Sequence, residues 1–251
     1  MEFLKRLQSW GIREETAAGL EKHLGQPIAV ERGATLIEAG AASEFVYFVE
    51  EGWLVTQNGL SEGSTVITDA ILPGEIAGLG ELAWDQAFSD TMAVTPVRAI
   101  ALSRARLSDI LDTVPGVAGV ILTLMTVRST ARSDRHAMTL RASARERLLY
   151  LFVELHARQT VRRPIDWISM PLTQSQLADL VGLTNVHVSN MMKQLEADGV
   201  LERRPSKLRL IDVPQLRMDI GFRDRWGFPD FSWTSAFGGT VGLQERVKIQ
   251  A

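Results

Sequence analysis

The chain contains no cysteine. That absence excludes a disulfide framework, a thiolate metal site and an all-cysteine iron–sulfur cluster. Histidine is scarce too: His23, His136, His156 and His187 are the whole set. A metal-dependent cupin needs histidines and carboxylates clustered on neighbouring strands, usually with an H-x-H pair. None of the four lies in the strand-rich region described below, so no metal site, haem ligation or enzyme of that kind is expected. No apolar run approaches the roughly 18 residues of a membrane span. The first ten residues, MEFLKRLQSW, lack a signal-peptide core and cleavage site. A cytoplasmic protein without a membrane partner is the expectation.

What is present divides unevenly. At 251 residues the chain is long enough for two domains, and 45% apolar content supports a genuine core in each. The net charge of −3 conceals an asymmetry: residues 1–115 carry 8 Lys+Arg against 17 Asp+Glu, and residues 116–251 carry 19 against 13. An acidic front joined to a basic back predicts that the back half meets a polyanion.

The most informative stretch runs from Leu172 to Leu210. Thr173 fits a helix N-cap, and Gln176 completes a capping-box pattern. Leu177, Leu180 and Val181 share one helical face, and Gly182 ends the helix where a left-handed residue is cheapest. Thr184 caps a second helix whose Val188, Met191, Met192 and Leu195 point inward. Its other side presents Asn185, His187, Ser189, Asn190 and Lys193. After Gly199, V-L-E-R-R-P-S-K-L-R-L reads as two strands around a Pro205-Ser206 turn. Amides, hydroxyls and an imidazole are the groups that hydrogen-bond base edges in a major groove; a merely solvated helix more often carries Glu and Lys. Arg203, Arg204, Lys207 and Arg209 lie beside them, placed for phosphates. The stretch is a winged helix-turn-helix.

That stretch resembles the DNA-binding motif of the Crp/Fnr family of bacterial transcription regulators, and the likeness extends over about residues 25–213. The resemblance implies an α+β architecture: an antiparallel jelly roll over 1–115, a long dimerisation helix over 116–143, a winged helix-turn-helix over 144–213 and an extension over 214–251. It implies a homodimer on pseudo-palindromic double-stranded DNA, with RNA polymerase as a further partner. Thr173, Gln174, Ser175 and Thr184 are expected at the start of the two motif helices. Asn185, Val186, His187, Ser189 and Asn190 are expected to face bases, and Lys193, Arg203, Arg204 and Lys207 phosphates. Many members carry arginine at the positions of Asn185 and Asn190 and glutamate at that of Val186. Losing the arginine–guanine contact implies a different operator, with DNA binding kept.

From Pro27 the hydrophobic period becomes two. Pro27–Val30, Thr35–Ile37, Phe45–Val49, Trp53–Val55, Thr65–Ile67 and Ala99–Leu102 read as strands separated by glycines, which predicts a jelly roll of about eight strands. Two short helical patterns, around Leu4–Leu7 and Ala17–Leu24, precede them. Residues 72–91 form an irregular segment where Gly78 and Gly80 permit close backbone approach. In the family this segment holds a cyclic phosphate and ribose. Here Leu79 stands at the ribose-binding glutamate and Ser89-Asp90 at the Arg-Ser pair. Asp90 places a negative charge where a phosphodiester would sit, and no Lys or Arg lies between Arg32 and Arg98. Cyclic AMP is therefore not expected as cofactor, and the effector is absent or of another kind.

Val117, Val120, Ile121, Leu124, Val127 and Ala131 recur at three- and four-residue steps and predict an apolar seam; one face can pack on the chain's own jelly roll, and the resemblance implies a parallel dimer through this helix. Arg132 and Ser133 match family positions that reach the effector; Arg132 could equally pair with Asp90. The first helix of the DNA-binding half is expected over Arg145–Val161. Aromatic residues of the C-terminal extension (Phe222, Trp226, Phe228, Phe231, Trp233 and Phe237) are expected to pack on the DNA-binding half or on a partner. A competing class is a small-molecule-sensing signalling module whose basic half binds a protein.

Overall fold

A computed structural model describes residues 1–233 apart from Phe228 and Ser232. Phe237 and the residues after 233 lie outside the described part. Two short helices, α1 (Glu2–Ser9) and α2 (Glu14–Glu21), precede eight strands. These are β1 (Ile28–Val30), β2 (Thr35–Ile37), β3 (Phe45–Glu51), β4 (Leu54–Gly59), β5 (Thr65–Ile71), β6 (Ile76–Ala77), β7 (Asp90–Ala93) and β8 (Val97–Ser103). They form two four-stranded antiparallel sheets, β1-β8-β3-β6 and β2-β7-β4-β5. This is the eight-stranded jelly roll expected from the period-two pattern. β6 falls inside the segment read as irregular and β7 begins at its end; two to four residues are too few for alternation to show. Gly52, in the turn between β3 and β4, has φ +82°, and a Cβ there would lie 2.1 Å from the Pro96 carbonyl oxygen. The close crossing of that hairpin over the β7–β8 turn requires glycine.

α3 (Arg104–Thr113) breaks at Pro115-Gly116, and α4 (Val117–Arg141) runs for 25 residues. α5 (Ala144–Thr160) starts from Ser143, whose side chain and Glu146 form a reciprocal capping box. β9 (Ile168–Ser169), α6 (Gln174–Val181), α7 (Asn185–Ala197), β10 (Leu201–Arg204), β11 (Lys207–Leu210) and α8 (Val213–Asp219) complete the order. β9 adds a third strand to the wing, in the order β10-β11-β9.

The apolar seam expected on α4 packs within the chain. Val117, Val120, Ile121 and Leu124 are buried in their own chain, packed with α1, α2, β3 and α3, and Ala131 is also buried. This side of the helix covers the chain's own jelly roll. The helix has two apolar sides, and the periodicity selected the one that covers the jelly roll. The other side leaves Leu122, Met125 and Leu140 exposed. Val127 is half-buried.

The DNA-binding half is packed against the jelly roll. Trp53, Val55, Ile67, Ala70 and Leu72 share one continuous core with Leu148, Leu151, Phe152 and Leu155 of α5 and with the motif's Leu177 and Val188. The Ile67 N–H donates to Asp179 Oδ2 of α6 at 3.1 Å. Thus α6 satisfies a backbone donor on β5 and fixes one motif helix to the jelly roll.

Candidate nucleic-acid interface and effector cavity

The motif is built by its caps. Thr173 Oγ1 accepts from Gln176 N at 3.2 Å, and Gln176 Oε1 accepts from Thr173 N at 2.8 Å. Gly182 takes φ +64°, the left-handed C-cap that turns the chain into α7. Thr184 Oγ1 then accepts from His187 N at 3.3 Å, so Thr184 is the N-cap of α7. Leu177, Ala178, Val181, Val188, Met192 and Leu195 are buried, whereas Leu180 and Met191 are half-buried at the edge.

With that face turned inward, Asn185, Val186, His187, Asn190 and Lys193 are exposed along α7, and Ser189 is half-buried beside them. Val186 is 67% exposed, far more than a core valine. On α6, Thr173 and Ser175 are exposed and Gln174 is half-buried. In the wing, Arg203 pairs with Glu196 of α7, which raises the Arg203 pKa through that hydrogen bond. Arg204 lies over the Trp167 ring at 4.1 Å, and Arg209 approaches the same ring at 5.5 Å. Trp167, missed in the sequence, holds the wing's guanidiniums by cation–π attraction; its place before β9 gave no signal of that role.

A second site lies between the jelly roll and α4. A cavity of about 820 Å³ is lined by Gly78, Leu79, Gly80 and Ser89 on one side and by Arg128, Ser129, Arg132 and Arg135 on the other. Two expected pocket residues are not there. Asp90 accepts from Ala39 N at 2.8 Å in the neighbouring turn, and Ser133 is exposed outside the lining. The ion partner of Arg132 is likewise Asp69, not Asp90. No group of three or more His, Asp or Glu suited to a metal ion occurs among the described residues.

The chain matches the cyclic nucleotide-binding domain over residues 27–114 and the Crp-like helix-turn-helix domain over residues 146–218. The chain belongs to the Crp/Fnr family of transcription regulators. It is 27% identical over 213 residues to the transcriptional regulatory protein Btr of Bordetella pertussis, covering 84% of this chain and 88% of that protein. It is 24% identical to the transcriptional activator FnrA of Stutzerimonas stutzeri, over 75% of this chain and 77% of that one. The solved structure of FixK2 from Bradyrhizobium japonicum superposes with a TM-score of 0.69 at 20% identity, covering 78% of this chain and 96% of the other, and shows the same fold.

The cyclic nucleotide expected from the family does not fit this Crp/Fnr regulator. Glu81 Oε2 accepts from Phe88 N at 2.9 Å, and Glu81 Oε1 accepts from Ser89 Oγ at 2.7 Å. The donors that would hold a cyclic phosphate are already turned onto a carboxylate of the chain itself. A phosphodiester there would meet that carboxylate at close range. Leu79 is buried in the same lining.

Behind the cavity runs a buried ionic chain that the sequence did not disclose. Asp69 of β5 pairs with Arg128 at 2.8 Å, Arg132 at 2.9 Å and Arg135 at 2.9 Å, all from α4. Burial opposes ionisation of Asp69, but the guanidiniums of Arg135, Arg128 and Arg132 outweigh it and hold the carboxyl well below its usual range. Arg135 continues to Glu154 of α5 at 3.4 Å, and Glu154 to Arg158 at 3.6 Å. Arg158 reaches Glu75 at 2.6 Å, and Glu75 also binds Arg6 of α1 at 3.2 Å. Here, burial pushes the Glu154 carboxyl up.

Proposed function

We propose that this Crp/Fnr regulator acts as a homodimer that lays two α7 helices into successive major grooves of a pseudo-palindromic operator. The observation that carries it is the outward row of Asn185, Val186, His187 and Asn190 on α7, flanked by the exposed cations of the wing. Amides pair bidentately with adenine, and the Val186 methyls suit a thymine methyl. Thr173, Gln174, Ser175, Lys193, Arg203, Arg204 and Lys207 serve the phosphate backbone. The chain divides at 115, 143 and 213 into effector, dimerisation and DNA-binding parts with a C-terminal extension. It has no catalytic role, works in the cytoplasm and meets RNA polymerase at the promoter. No single helix among the described residues is long and apolar enough to cross a membrane.

Gel shifts over a salt series test the DNA reading. Asn190→Ala should lose about 1–3 kcal/mol of discrimination at one base pair while keeping affinity for random DNA. Arg204→Ala should weaken binding to all sequences and reduce the salt slope by about 1. Equal losses on cognate and random DNA for both variants would reject the assignment.

Two recognition helices must stand about 34 Å apart to read both half-sites. The exposed side of α4 supplies the surface for pairing: Leu122, Met125 and Leu140 point away from the chain's own core. Replacing Leu122 and Met125 together by Asp should yield monomers by light scattering and lower operator affinity by about 10²-fold or more, the share owed to tethering two half-site contacts. A dimer that survives both substitutions would place the interface elsewhere.

A further inference from the structure

The wing has two faces, and the one turned to solvent is built around an indole. Ile168, Leu201, Leu208 and Leu210 are buried beneath the sheet. Strand alternation sends their neighbours to the other face: Ser169 of β9, Glu202 and Arg204 of β10, Lys207 and Arg209 of β11. There Glu202 stands opposite Arg209, Arg204 opposite Lys207, and Lys207 opposite Ser169. Trp167, one residue before β9, joins this face and is half-buried. Its support is fixed. The Gln159 side chain of α5 accepts from the Ser169 N–H at 2.8 Å and donates to the Ser169 carbonyl at 3.0 Å. The Met170 N–H donates to the Ser206 carbonyl of the wing turn at 2.8 Å. The two arginines over the ring are used differently. Arg209 Nη2 donates to Glu202 Oε1 at 2.6 Å, so its charge is matched inside the wing. Arg204, exposed and 4.1 Å from the ring centroid, has no carboxylate within ion-pair distance among the described residues. Stacking covers the face of a guanidinium and leaves its N–H edge free.

We propose that Trp167 is a positioning residue for DNA: its indole presents the Arg204 N–H edge to one backbone phosphate, while Glu202 withholds Arg209 from a second. The inference rests on the reading of α7 and the wing as the DNA interface. It adds to that interface two side chains that carry no positive charge and act through the arginines beside them. A long side chain free in solvent must be ordered when it meets a phosphate, which lowers affinity by about threefold to tenfold for each such residue. The indole orders Arg204 during folding, before DNA arrives. Lys207, across the strand pair, has no ring to hold it and keeps its freedom until it binds. Glu202 sets how many cations this face offers: Arg204 and Lys207 while it pairs with Arg209, and Arg209 as well once its charge is gone.

Fluorescence anisotropy of the full-length protein with a mixed-sequence DNA duplex, over a salt series, tests this, because a phosphate contact is made on every sequence. Trp167→Leu keeps apolar bulk without a π face and should weaken binding about threefold to tenfold; Trp167→Phe should recover most of that loss. In an Arg204→Ala background Trp167→Leu should weaken binding no further, since the indole acts through Arg204. Glu202→Gln should steepen the salt slope by about one, and adding Arg209→Ala to it should remove the gain. Equal losses from Trp167→Leu with and without Arg204 overturn the proposal, because a ring that supports only the fold acts whether or not the arginine is there. A Phe variant as weak as Leu, or a slope that Glu202→Gln leaves unmoved, overturns it too. Two outcomes separate it from the reading beneath it. Arg204→Ala lowering the slope while Trp167→Leu changes nothing rejects the positioning role alone. Wild type that binds no DNA even at low salt rejects the interface itself.

Discussion

Glu75→Ala is expected to destabilise the protein by about 3–5 kcal/mol, the cost of stranding buried charge when one partner of an ion pair is removed. The Glu75 side chain is 4% exposed and faces two guanidiniums that are just as hidden: Arg6 at 4% and Arg158 at 1%. Its Oε1 accepts from Arg6 Nη1 at 3.2 Å and Arg158 Nε at 3.0 Å; Oε2 accepts from Arg158 Nη2 at 2.6 Å and from the Leu72 amide at 3.2 Å. Four donors lose their acceptor at once. Urea unfolding followed by circular dichroism reads the loss. A cost below about 1 kcal/mol would mean that water reaches both arginines. The same carboxylate gives a pH signature. Burial raises its pKa, but Arg158 and Arg6 more than offset this and the net shift is downward. Its stabilisation is complete above the unfolded value of about 4 and is lost as the pH falls through the lower folded value. Comparing wild type with Glu75→Gln isolates that contribution. The difference in stability between them should be constant above about pH 5 and shrink below pH 4.

Local signals were legible in the sequence, and distant ones were not. Thr173 with Gln176, Gly182 and Thr184 mark the helix-turn-helix in the sequence itself, because a cap is decided within three or four residues. The wing turn at Pro205-Ser206 was legible for the same reason. Asp69 and Glu75 read as ordinary charges in an acidic half. Their partners lie 59 to 83 residues away, and no pattern along the chain announces such a meeting. Arg128, Arg132 and Arg135 were seen to lie off the apolar seam, yet spacing alone cannot say whether that side meets water, a second copy or a buried acid. Helix α4 shows the limit plainly: periodicity finds apolar faces but does not tell which neighbour each one covers. Asp69 and Glu75 gain their cations from α1, α4 and α5, so a stretch without Lys or Arg of its own can still be neutralised in the fold.

The C-terminal extension carries the second large effect, and Trp226→Ala is expected to cost about 3–5 kcal/mol. Trp226 is 4% exposed. Arg158 lies 4.6 Å from its ring centroid and Arg6 5.6 Å, so the indole covers both arginines that Glu75 neutralises. Its carbonyl accepts from Trp10 Nε1 at 3.1 Å. Phe231, buried beside it, packs on the Trp10 ring at 6.2 Å. On the way there Phe222 meets Tyr150 edge-on at 5.2 Å, and Arg225 pairs with Asp134 of α4 at 2.7 Å. The segment thus runs from α8 of the DNA-binding half, across α5 and α4, to α1 at the other end of the chain. The sequence pointed to the DNA-binding half or a partner surface; Phe222 and Trp226 do meet α5, and Trp226 and Phe231 reach the N-terminal helix as well. A merely space-filling role and a cation-covering role are separable. The Trp226 Nε1 is buried without a partner, so Trp226→Phe removes an orphan donor while keeping a ring over Arg158. That variant should stay within about 1.5 kcal/mol of wild type. Trp226→Leu, apolar but without a π face, should lose about 1–2 kcal/mol more than Phe, the worth of a desolvated cation–π contact. If Leu and Phe prove equal, the ring contributes volume alone and Arg6 and Arg158 depend on Glu75 without help from the extension.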